Sequence, residues 1–187
     1  MEKKLISKLS ENFKKCFKKK GKILIAGNGG SAAIANHIAG EFVATFLKKK
    51  RLAYPVISLC ENVSIITAIA NDFKFNYIFQ RQIEALGSKE DILLVMSTSG
   101  KSQNIKNAIN FANKNNILTI GMFGKKKTSI TKKCKISLHS KHNDTARIQL
   151  SNRIQEFEEY GHSASSAADI GITNTIRTTT IHDLNSS

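Results

Sequence analysis

The stretch KILIAGNGGSAAIANHIAGEFVATFL, residues 22–47, decides the fold. Lys22 to Ala26 is a short apolar run of strand length, Gly27-Asn28-Gly29-Gly30-Ser31 has the chemistry of a tight turn, and Ala32 to Leu47 resumes helical spacing. Strand, glycine turn and helix in that order open a βαβ unit, because a parallel neighbouring strand is reached only through a crossover long enough to hold a helix. The same grammar recurs downstream. Val56 to Leu59 leads into a helix through Ala70, and Ile92 to Met96 leads through Ser97-Thr98-Ser99-Gly100 into a helix from Gln103 to about Asn113. Ile117 to Met122 and Lys135 to His139 read as two further strands. The pattern predicts an α/β fold, a parallel sheet covered by helices on both faces. Pro55 falls where a strand begins, the one place in a sheet where a missing N–H costs nothing.

Outward from that centre, Leu5, Ile6, Leu9, Phe13, Cys16 and Phe17 recur at helical spacing, so an amphipathic helix precedes the first strand and stops at the lysine run 18–20 and Gly21. On the other side, Thr145 to Tyr160 is amphipathic through Ile148, Leu150, Ile154 and Phe157, with Gly161 as its stop. Residues 162–187 are rich in Ser, Thr, Asn and Ala without apolar periodicity. The expectation is one domain over residues 1–160 and a poorly ordered tail over 161–187. A chain of 187 residues, 41% apolar, has enough material for one core of ordinary size.

Twenty-nine Lys and Arg against 14 Asp and Glu give a formal charge of +15, a field that attracts any polyanion. The lysines nevertheless sit in short runs, 18–20, 48–51 with Arg51, and 125–127, at element ends rather than along one recognition helix. That distribution reads as a solvated surface and makes nucleic acid a poor candidate partner. Cys16, Cys60 and Cys134 are odd in number and widely spaced, which fits buried thiols in a reducing cytoplasm and not a disulfide framework or zinc knuckle. The N-terminus interleaves charge with apolar residues and lacks a signal-peptide core, and no later stretch has spanning length, so no membrane role is expected.

Two strand-end loops carry small residues and hydroxyls, GNGGS at 27–31 and STSGKS at 97–102. In a parallel sheet such loops lie at the carboxyl edge, where helix N-termini present free N–H groups and ligands gather. Neither loop is a Walker motif and the GxGxxG spacing is missing, so a phosphate on a smaller molecule is favoured over a nucleotide. One such loop alone reads equally as a turn whose serines cap a helix; two in one sheet favour the ligand. His37 and Glu41, four apart on the helix leaving the first loop, project from one face close to its carboxyl-edge end. Imidazole and carboxylate suit zinc, although such a pair is more often a surface hydrogen bond. Asn71-Asp72 follows an apolar helix and begins a loop, and Asp144 reads as the N-cap of the last helix with Gln149 just inside it.

In order and with compatible spacing, GNGGSAAIANHIAGE (27–41), TAIANDF (67–73), RQIEALG (81–87), STSGKSQN (97–104) and DTARIQ (144–149) resemble the sugar isomerase (SIS) domain family, most closely its phosphoheptose isomerases. The resemblance implies a three-layer, flavodoxin-like fold with five parallel strands, assembled as a cytoplasmic homotetramer with sites at subunit interfaces. It implies interconversion of sedoheptulose 7-phosphate and D-glycero-D-manno-heptose 7-phosphate through an enediol, feeding heptose into lipopolysaccharide or capsule. By position, Ser97, Thr98, Ser99 and Ser102 would hold the phosphate with Ser31 near it, and Asn28, Gly29, Gly30, Glu41, Asn71, Asp72, Asp144 and Gln149 would line the sugar. His37, Glu41 and Gln149 would match the ligands of one zinc ion per subunit, with Glu41 as catalytic base. The family carries a histidine two helical turns past the glutamine, where this chain has Phe157; His162, seven residues past Gln155 in a second copy of the motif at 153–156, is the substitute acid. Thr45 stands where many relatives have arginine. The departures keep a second reading in view, a non-catalytic SIS-domain protein that binds a partner such as the replication initiator.

Overall fold

The computed structural model describes residues 2–44 and 52–140. The helix expected over 145–160, the tail over 161–187 and Thr45 lie outside the described residues. Five strands, β1 (Ile23–Gly27), β2 (Val56–Ser58), β3 (Ile92–Ser97), β4 (Leu118–Phe123) and β5 (Ile136–His139), form one sheet in the order β2-β1-β3-β4-β5. All four pairings are parallel. Among the described residues five α-helices connect and flank them: α1 (Glu2–Lys18), α2 (Gly30–Val43), α3 (Val63–Asp72), α4 (Ile78–Leu86) and α5 (Gln103–Lys114). This is the flavodoxin-like order the motifs implied.

The central strands are near-continuous apolar runs because both their faces are covered. β1 and β3 are buried throughout, while the edge strand β5 is buried only at Ile136. Alternation along the strands divides the interior into two layers. Ile23 and Ile25 point to one face with Ile92, Leu94 and Met96, under Leu9 and Cys16 of α1 and Ala35, Ile38, Ala39 and Phe42 of α2. Leu24 and Ala26 point to the other with Leu93 and Val95, under Phe79 and Ile83 of α4 and Ile105, Ala108, Ile109 and Ala112 of α5. The α5 residues recur at one helical face, so the amphipathic period decides which layer the helix joins.

Asp91 fixes the amino edge of the sheet. Its carboxylate accepts from the Lys22 backbone N–H at 2.9 Å, from Lys22 Nζ at 2.8 Å and from the Ser88 N–H at 2.7 Å. These bonds tie the entry of β1 to the entry of β3, and the Asp91 side chain is only 1% exposed. Observed boundaries differ from the expected ones by at most one residue in the strands and by two or more in the first two crossover helices. The first crossover helix begins at Gly30, not Ala32, and the helix leaving β2 extends through Asp72. α4 had no counterpart in the periodicity reading.

Candidate active site

Strand order sets the place of the site. β1 and β3 lie side by side, but α2 leaves β1 toward one face and α5 leaves β3 toward the other, which opens a crevice between them at the carboxyl edge. Register then aligns the two loops: Gly27 pairs with Met96, so Asn28 and Ser97 leave the sheet at the same level. The loops are joined side chain to side chain. Asn28 Nδ2 donates to Asn104 Oδ1 at 3.0 Å and Asn104 Nδ2 donates to Asn28 Oδ1 at 2.8 Å. Asn104 is 2% exposed in the first turn of α5 and Asn28 is half-buried, so this reciprocal amide pair is a partly buried brace across the crevice. The sequence reading had not singled out Asn104; an amide one turn into a helix carries no local signal of a partner 76 residues away.

The loop after β3 folds on itself around Gly100, whose φ of +59° is left-handed and favours glycine. The Gly100 N–H donates to the buried Ser97 Oγ at 3.2 Å, and the Lys101 N–H donates to Ser99 Oγ at 3.2 Å. Thr98 is half-buried and Ser99 exposed. Ser102 occupies the N-cap of α5 yet makes no side-chain capping bond, so the reading of this serine as a mere cap is not realised. Across the crevice, Gly29 is the N-cap of α2 at φ +55°, an added Cβ there would meet nothing within 4 Å, and Gly30 is exposed beside buried Ser31. Neither α2 nor α5 has an acidic residue in its first turn, so the positive ends of two helix dipoles face the crevice unopposed. Backbone N–H groups, hydroxyls and two helix N-termini converge where an anion would sit.

His37 Nε2 and Glu41 Oε1 are 2.8 Å apart, one turn from each other on α2, with the imidazole 41% and the carboxylate 11% exposed. Their position corrects an expectation. They lie seven and eleven residues beyond Gly30, about 10 and 16 Å along the helix axis at 1.5 Å per residue, so Glu41 sits away from the carboxyl edge and not beside the loops. The donors suit zinc in kind, a neutral imidazole and a carboxylate within one ion's reach of each other. Among the described residues no group of three His, Cys, Asp or Glu side chains is arranged to hold a metal. Gln149, the third expected ligand, lies outside the described residues with Asp144 and His162.

Asn71 and Asp72 also sit otherwise than expected: they form the last turn of α3 instead of opening a loop, both exposed, with Asn71 Nδ2 donating to Asp72 Oδ1 at 2.9 Å. The cysteines are free thiols, Cys16 buried and Cys60 and Cys134 half-buried. Burial pushes Cys16 up to about 11 and Cys134 up to about 12, and it raises Cys60, whose Sγ lies 3.3 Å from the Gly27 carbonyl beneath the first loop. None is a thiolate at neutral pH. Among the described residues no helix is long and apolar enough to cross a membrane.

Known proteins share this arrangement. The model of the SIS domain family matches residues 1–124. Phosphoheptose isomerase 1 of Campylobacter jejuni is 46% identical over 144 residues, 77% of either chain, and the phosphoheptose isomerase of Trichlorobacter lovleyi is 45% identical over 77% of this chain and 73% of its own. Among solved structures, the phosphoheptose isomerase of Neisseria gonorrhoeae superposes with a TM-score of 0.76 at 33% identity, covering 82% of this chain and 81% of that one. The Francisella tularensis enzyme superposes at 0.77 with 31% identity and 81% coverage of each. With a family model over residues 1–124, identity at this level over three quarters of the chain and a shared fold, the chain belongs to the SIS domain family and, within it, to the phosphoheptose isomerases.

Proposed function

We propose that this protein interconverts sedoheptulose 7-phosphate and D-glycero-D-manno-heptose 7-phosphate, supplying heptose for lipopolysaccharide or capsule from the cytoplasm. The observation that carries the reading is the pair of glycine- and hydroxyl-rich loops braced together at the β1/β3 crevice in a chain of this family. The phosphate seats on the backbone N–H groups of the β3 loop and on Ser97, Thr98, Ser99 and Ser102, with Ser31 beside it. The sugar extends along Asn28, Gly29 and Gly30, toward Asn71, Asp72, Asp144 and Gln149. Glu41 takes a proton from C1 of the ketose, exchanges it with solvent at the enediol stage and delivers a proton to C2, while hydroxyl protons shift between the two oxygens with His162 as the acid partner, so the enediol collapses to the aldose. His37, Glu41 and Gln149 are the residues that would hold zinc. A bound zinc would polarise the substrate carbonyl as a Lewis acid.

The distance between Glu41 and the loops supports a shared site. A carboxylate about 16 Å down α2 lies far from a sugar anchored at its own chain's β3 loop, so Glu41 of one subunit serves the loops of another. A homotetramer of this kind also accounts for α3, which buries no residue in the single chain and leaves Val63 69% exposed, and for Phe75 in the turn after it, 55% exposed. The non-catalytic reading finds no support in relatives that are themselves phosphoheptose isomerases.

The test is conversion of sedoheptulose 7-phosphate in D2O followed by proton NMR. Proton transfer through an enediol gives an aldose 7-phosphate with deuterium at C2; absence of any aldose from zinc-replete protein would reject the reading.

A further inference from the structure

The connection from β4 to β5 carries chemistry that the isomerase reading leaves unused. Its sequence, GKKKTSITKKCKISLHS at 124–140, holds six lysines and no acidic residue. Lys125, Lys126 and Lys127 follow β4 directly and are exposed, so they lie at the carboxyl edge, one strand away from the β3 loop. The segment then descends: the Lys133 carbonyl accepts from Asn113 Nδ2 at 2.9 Å, beside the last turn of α5 at the opposite edge. Only the first lysine run therefore belongs to the edge where the loops converge.

What fixes that run in place is Thr128. Its Oγ1 donates to the Gly100 carbonyl at 2.7 Å, and its N–H donates to Oγ1 of the buried Thr131 at 3.0 Å. The Thr131 hydroxyl returns a bond to the Thr128 carbonyl at 3.1 Å. A Cβ added to Gly100 would come within 3.0 Å of Thr128 Oγ1 and 3.1 Å of Thr131 Cγ2, so the two threonines are fitted against the turn of the phosphate loop. Consecutive Cα atoms are about 3.8 Å apart, which puts the backbone of Lys127 within roughly a Debye length of Gly100 at physiological salt. The charge on Lys127, with those on Lys126 and Lys125 up to about 4 and 8 Å farther along the chain, acts on a dianion before it reaches the N–H groups.

We propose that Lys125, Lys126 and Lys127 form a capture loop for the substrate's phosphate, with Thr128 as the positioning residue that clips it to the Gly100 turn. The inference rests on the phosphate-loop reading of residues 97–102 and adds to it a source of affinity that salt weakens. Lysines outside the crevice draw the dianion in and raise its local concentration; the backbone N–H groups and hydroxyls then bind it.

The test compares Lys125→Gln/Lys126→Gln/Lys127→Gln with Lys132→Gln/Lys133→Gln/Lys135→Gln, which removes the same charge from farther along the connection. Binding of sedoheptulose 7-phosphate is measured by calorimetry, and its turnover by coupled assay, at about 20 and 200 mM salt. The 125–127 variant weakens binding and raises KM about tenfold at low salt and about two- to threefold at high salt, with kcat kept, while the 132–135 variant follows the unmodified protein. Thr128→Val raises KM at both salts and Thr128→Ser restores it. Equal losses in the two triple variants, or none in the first, overturn the proposal and leave the isomerase reading standing. Salt-dependent binding lost only in the 125–127 variant, but without turnover, supports the capture loop and overturns the isomerase reading. No binding to the unmodified protein overturns both.

Discussion

Asn104 shows at the scale of one residue why a site can hide in a sequence. Glycines and serines announced the two loops by type, and the structure brings both loops to one crevice. The amide that braces them has no such signature, because its partner is remote in the chain and adjacent only through strand order. Truncation to Asn104→Ala removes two amide bonds and leaves the Asn28 amide without its partner, a cost of about 1–3 kcal/mol per unsatisfied group. The expected result is a KM for sedoheptulose 7-phosphate raised about tenfold or more, with a lower melting temperature; steady-state kinetics and calorimetry check both. Glu41 and His37 carry the complementary lesson. Helical spacing gave their common face, and the structure puts them 2.8 Å apart, but four-residue spacing says nothing of how far along the helix a pair stands from a loop.

Among the elements, the strands and longer helices were legible because burial imposes period on them. β1, β3 and β4 are near-continuous apolar runs, as buried parallel strands must be, and α1, α2 and α5 each show one apolar face. α4 was not legible, since nine residues give too short a window for the helical period to declare itself. The Asp91 anchor was not legible either, being a carboxylate 69 residues from its lysine. Burial alone would raise the Asp91 pKa, but the Lys22 ammonium and the N–H groups of Lys22 and Ser88 outweigh it and hold the carboxyl below its usual range. A depressed folded-state pKa means the stabilisation is fully present above the unfolded carboxyl pKa, near pH 4, and is lost as pH falls through the folded value. Melting temperatures from pH 2.5 to about 6 should therefore drop steeply on the acid side. Asp91→Ala should lower stability by about 3 kcal/mol at neutral pH and flatten that slope, since Lys22 loses its partner.

For the whole molecule, the exposed apolar side chains of α3 and the turn after it, Val63, Ile65, Phe73, Phe75 and Tyr77, are more than one chain in water would leave uncovered. Together with the position of Glu41 they fit the proposed site shared between subunits. Complementation reads this out. Glu41→Gln and the double variant Ser97→Ala/Ser102→Ala should each be inactive alone, and mixed oligomers co-purified from one cell should recover on the order of a quarter of the normal rate, because some sites combine an intact Glu41 with an intact loop. Mixtures that stay inactive would place both halves of the site on one chain.

The measurement that bears most directly on the whole account is turnover of sedoheptulose 7-phosphate by the full chain beside its Glu41→Gln variant, both zinc-replete. The account predicts aldose 7-phosphate from the first, and a rate reduced at least a thousandfold in the second through loss of the base. An inactive full chain, or a Glu41→Gln variant that turns over as fast as the unmodified protein, would contradict it.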